Sequence, residues 1–176
     1  FWNDQEIEMI AAVSRESKAR TQPVWGLDQV FGGQHIFTRL SSLATTPAAR
    51  TVVAELMSKA NGFESTRVPS SDGRLDRFIN ADDSITQLKR LRDQFNPAKG
   101  SEADRLIASL ELSNRIYRSG GYVGNDTREQ NMKARFMEQY RAAQRAGDQD
   151  PRVLARFGHV HATKGFNNLN IQTLGN

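Results

Sequence analysis

Between Thr46 and Gly147 the chain repeats one pattern: apolar residues return every three or four positions, and each run is bracketed by residues that start or stop a helix. Ala49, Val52, Val53, Leu56, Met57 and Ala60 form the clearest stripe. Thr46-Pro47 opens it, an N-cap followed by proline at the first helical position, and Asn61-Gly62 closes it. Asp83 caps a second run with Ile85, Leu88, Leu91 and Phe95 inward, stopped by Asn96-Pro97. Ser101 with Asp104 has the form of a capping box before Leu106, Ile107, Leu110, Asn114 and Tyr117, and Gly120-Gly121 ends that run. Asp126 with Glu129 repeats the form before Met132, Phe136, Tyr140 and Ala143, with Gly147 as the stop.

Towards the N-terminus, Asn3 or Asp4 caps a helix running into "SKAR", and Gln34 to Leu43 has helical character. The stretch "FESTRVPSSDGRLDRFINADD" is punctuated as a loop with at most a short helix inside. Strand signals are few: Val24 to Leu27, "PRVLARFGH" and "NIQTLGN". Strands separated by many helical residues imply parallel crossovers. The expected fold is therefore α/β, a small mostly parallel sheet covered by helices, with a helical insert at about 46–120 in a single domain over 1–176. Phe1 in place of Met, followed at once by a helix start, suggests a chain whose beginning was removed.

Composition limits the function classes. The 176 residues are 38% apolar and contain no cysteine, which excludes disulfides, thiolate metal sites and cysteine nucleophiles. No apolar run reaches the roughly 18 residues of a membrane span, so integral membrane association is not expected. The net charge of +4 invites a nucleic-acid partner, but the basic residues are interspersed with acids, as in "LKRLRD" and "TREQNMKARFMEQ". A solvated helix face accounts for them, and the partner expected is a small-molecule substrate or ligand.

Chemistry concentrates in "RFGHVHATKGF" and "PVWGLDQ". In an extended segment His159 and His161 point to one face, because side chains alternate. Imidazole exchanges a proton near neutral pH, and a carboxylate within reach fixes its tautomer. Asp28 fills that role if its strand neighbours the histidine strand, and the same three residues could instead hold a metal. Arg128 sits in the first turn of its helix, where an anion or Asp28 could hold it; Trp25 is read as core that also borders the ligand, beside Gln29 and Lys164. His35, after Gly32-Gly33, has a capping or surface role.

Three stretches also resemble the erythromycin-esterase-like superfamily, which includes ChaN-like haem-uptake and TraB/Tiki-like proteins. "PVWGLDQVFGG" looks like its second-strand segment, "NDTREQNMKARF", with Asn125, Arg128, Glu129 and Met132, like its late helix, and "RFGHVHATKGFNNLNIQTLGN" like its histidine strand. The resemblance implies an α/β core and a polar cleft of acids, histidines and arginine; in the esterase branch a Glu/His set activates water. The family's first strand, with Glu-x-x-His, would precede Phe1. Where esterases read His-Asn-x-His this chain has Arg156-Phe157-Gly158-His159, whereas another branch's Gly-x-x-His, basic residue and glycine match Gly158, His161, Lys164 and Gly165. The expected function is a hydrolase: His161 or His159 acts as base, Asp28 orients it, and Arg128 or Lys164 steadies an oxyanion. The alternatives are a non-catalytic binder of an anionic or haem-like ligand, and an incomplete fragment without activity. No cofactor is required by the hydrolase reading; a divalent metal or haem stays open.

Overall fold

The computed structural model describes residues 4–16, 23–66 and 77–175, leaving aside the side chains of Glu6, Thr66 and His159. Seven α-helices occur among them: α1 (Asp4–Glu16), α2 (Gln34–Leu43), α3 (Pro47–Thr66), α4 (Ser84–Phe95), α5 (Glu102–Ser119), α6 (Gly121–Arg145) and α7 (His159–Ala162), with a 3-10 turn at Phe78–Asn80. No strand exists among the described residues. The nearest thing to a sheet is one isolated antiparallel bridge, Phe166 to Gln172. The α/β expectation is thus wrong, and the physical reason lies in the three apolar segments themselves. A strand must pair its backbone groups and bury one face. Val24 is 39% exposed and Leu154 is 92% exposed, and the third segment, although Ile171 is buried, pairs its backbone through one bridge only, so none of the three completes a ladder among the described residues.

The chain divides into two compact units. The second comprises Gln29–Arg128 with Asn168–Ile171. Its core gathers Phe37, Leu40, Val52, Val53, Leu56, Phe78, Ile79, Leu88, Leu91, Ile107 and Leu110, all at most 2% exposed. α3 packs against α2 and α4, α4 against α5, and α5 returns to α2. The caps read from the sequence operate here. The Thr46 hydroxyl accepts from the Ala49 amide at 3.1 Å and the Ser101 hydroxyl from the Asp104 amide at 3.2 Å. α3 nevertheless runs through the expected stop at Asn61-Gly62. An internal glycine costs about 1 kcal/mol, and Phe63, packed on the core one residue further, offsets it.

α5 and α6 are separated by Gly120 alone, where the sequence suggested a stop and a new cap at Asp126. Gly120 and Gly121 both take positive φ, 58° and 47°, so the chain turns within two residues and resumes helix at once. Gly124 makes this junction feasible: a Cβ there would lie 2.5 Å from the Ile116 carbonyl oxygen. Asp126 is therefore inside α6 rather than at its N-cap, and Glu129 is released from the capping box assigned to it.

Three carboxylates of this unit are held below their ordinary range by cations. Asp83 accepts from Lys59, Glu102 from Arg39, and Asp104 from Arg92 with the Gly100 amide assisting. A group whose folded pKa is depressed stabilises the fold fully above its unfolded pKa of about 4 and loses that contribution as pH falls further. The urea midpoint is accordingly expected to be flat from about pH 7 to about pH 5 and to decline below about pH 4, less steeply in 1 M salt because the pairs are solvent-screened. A midpoint that rises on acidification would contradict it.

The first unit comprises the described residues up to Asp28, Glu129–Asn167 and those from Gln172 on. In it Trp25 meets Phe136 edge-on at 5.9 Å, and Phe136 stacks on Tyr140 at 6.0 Å. These rings continue the stripe that Met132, fully buried, begins on α6.

Candidate functional site

α6 carries Glu129 one turn before Lys133 and three residues before Met132, on the stripe the sequence marks as apolar. Glu129 is 1% exposed. A carboxylate that deep needs a partner for each oxygen, and it has them. Oε1 receives His161 Nδ1, and Oε2 accepts the Leu174 amide at 3.1 Å. Lys133 Nζ donates to the Gln172 carbonyl at 3.0 Å, so one face of α6 secures the C-terminal segment at two points.

That segment is tied from the other side as well. The Thr173 hydroxyl donates to the Thr163 carbonyl, just past α7, and the Thr173 amide donates to the Gly165 carbonyl at 3.4 Å. α7 is a single turn following Gly158, with the His161 amide bonded to the Gly158 carbonyl at 3.0 Å. It presents an imidazole whose side chain is only 11% exposed.

With Glu129 ionised and the imidazole neutral, Nδ1 carries the proton donated to Glu129, because a carboxylate can only accept. The lone pair then resides on Nε2, and no hydrogen bond among the described residues engages that atom. In that protonation state the pair leaves Nε2 as the proton acceptor of the ring. Among the described residues no three of His, Cys, Asp and Glu gather as a metal site. Nor is any helix among them long and apolar enough to cross a membrane.

Of the residues singled out from sequence, His161 is at the centre of this cluster. Because α7 is helical, positions two apart are offset by about 200°, which removes the strand argument for a face shared with His159; the His159 side chain lies outside the described residues. Asp28 is exposed, and the carboxylate hydrogen-bonded to His161 is Glu129. Lys164 is exposed in the turn after α7, Trp25 is half-buried in the aromatic stack described above, and His35 is exposed on α2. Gln29 and Arg128 belong to the other unit, where both line a cavity of about 440 Å³ with Phe31, Arg77, Tyr117 and Asn125. Gln29 Nε2 donates to the Tyr117 hydroxyl at 3.3 Å there.

Sequence reasoning gave Glu129 a capping role, yet the signal for a different one was present. An acid three residues ahead of Met132 and seven ahead of Phe136 occupies an apolar position of its helix. No protein family, no curated protein and no solved structure matches the chain.

Proposed function

We propose that the chain is a hydrolase, with Glu129 and His161 as its working pair. The observation that carries the reading is the buried Glu129 carboxylate hydrogen-bonded to His161 Nδ1. The resemblance implied an α/β sheet, which the described residues lack, so the reading rests on this pair and not on the family.

In the proposed reaction His161 Nε2 takes a proton from water as the water oxygen attacks an ester carbonyl carbon. Glu129 holds the ring in place and stabilises the imidazolium that forms. The carbonyl π electrons move to oxygen, giving a tetrahedral oxyanion; Lys164, the cation closest along the chain to His161, steadies that charge. Collapse re-forms the carbonyl and breaks the bond to the leaving alcohol, which receives the proton back from Nε2. Water and ester become acid and alcohol, and the dyad returns to its starting state. Asp28, expected to orient the histidine, yields that role to Glu129.

The test is hydrolysis of 4-nitrophenyl acetate by the purified chain, compared with His161→Ala. Turnover above background that disappears in the variant supports the reading. Turnover that is equal in both, or no turnover with this ester or with 4-nitrophenyl butyrate, overturns it.

A further inference from the structure

The cavity of the second unit has a chemistry of its own. At about 440 Å³ it falls within the roughly 300–1,000 Å³ of small-molecule sites. Among the described residues its lining includes two guanidinium-bearing residues, Arg77 and Arg128, and no Asp or Glu. A concave surface with cations and no acid of its own favours an anionic guest and disfavours a metal ion.

Arg77 is held at one end, where Nη1 pairs with Glu64. Its Nε–H is buried and meets no acceptor among the described residues, so one carboxylate does not satisfy the fork. Leaving a charged donor unmade is costly, and an incoming oxygen could recover that bond.

The same guanidinium lies 4.1 Å over the Phe31 ring, and Phe31 leans on Tyr117 at 5.5 Å. Phe31 is 47% exposed although it lines a cavity, which leaves a large aromatic face open beside the cations. Ile79 and Ile116 add apolar wall. Bare phosphate would leave these apolar faces wet, and a neutral aromatic would leave the Arg77 Nε–H without an acceptor.

We infer that this cavity binds a small aromatic anion, its ring against Phe31 and Tyr117 and its anionic group toward Arg77 and Arg128. An aryl carboxylate and an aryl phosphate share the required chemistry.

Calorimetric titration with phenyl phosphate, benzoate, inorganic phosphate and phenol tests it. Phenyl phosphate, benzoate or both are expected to bind at least about ten-fold tighter than phosphate or phenol; which of the two wins identifies the head group. Arg128→Gln is expected to weaken binding about 10- to 100-fold, the worth of a charged hydrogen bond. Phe31→Ala, at an exposed position that leaves the core intact, should weaken it as well. Arg115→Gln, on a separate groove beside α4, serves as the control and should change nothing. Arene anions that bind no better than phosphate and phenol, or binding unaltered by both Arg128→Gln and Phe31→Ala, would overturn the inference. Binding is read here without turnover, so its outcome is independent of the Glu129–His161 reading.

Discussion

Glu129→Gln is expected to lower ester turnover about 10²- to 10⁴-fold while leaving the thermal midpoint within a few degrees of the parent. The glutamine carbonyl can still accept from the Leu174 amide, now at 3.1 Å from Oε2. Its NH₂ must then face His161 Nδ1, the donor in the proposed state of the pair. Two donors cannot meet, so the imidazole moves its proton to Nε2 and accepts through Nδ1. The ring stays in place, but the atom meant to take a proton from water now carries one.

The paired variant Glu129→Ala separates the two duties of the carboxylate. It leaves the Leu174 amide without its acceptor and opens space at a position 1% exposed. A loss of about 2–4 kcal/mol in unfolding free energy is expected for it, measured by urea denaturation. An active Glu129→Gln would show that the carboxylate clasps the C-terminal segment and does nothing to the tautomer.

The helices were legible where their causes are local. α2 has the bounds read from the sequence, Gln34–Leu43, and Ser101 caps α5 as its side chain predicts. α6 began earlier than expected because a glycine pair signals both a stop and a tight reversal, and only the space beside Ile116 decides between them. Strands failed for a reason of another kind. Three apolar residues and a glycine at Val24 to Leu27 satisfy a strand pattern, but strand formation depends on a partner elsewhere in the chain, which no local pattern reports.

The site was half legible on the same grounds. His161 declares itself by its side-chain chemistry. Glu129 does not, because Asp-x-x-Glu at a helix start and a buried acid on an apolar stripe are written with the same residue. Its helical phase with Met132 and Phe136 distinguishes the two once the helix is known to begin at Gly121 rather than at Asp126.

Gly175→Ala is expected to destabilise the chain by about 1–3 kcal/mol and to cut turnover at least about ten-fold. A Cβ at Gly175 would lie 2.8 Å from the Ala162 carbonyl oxygen and 3.0 Å from that of Thr163. Both obstacles are backbone, so no side chain can swing aside. Ala162 closes α7, the turn that presents His161, and the amide next to Gly175 is the Leu174 donor to Glu129. The added methyl must push away either α7 or the C-terminal segment, and each displacement works on the same carboxylate from one of its two oxygens. Gly26→Ala is the matched control, since nothing lies within 4 Å of a Cβ there. Thermal unfolding, kcat/KM and hydrogen exchange at the Leu174 amide read the effect together. If Gly175→Ala keeps parent turnover while that amide loses its protection, the segment and the imidazole are independent, and the clasp has no bearing on the chemistry.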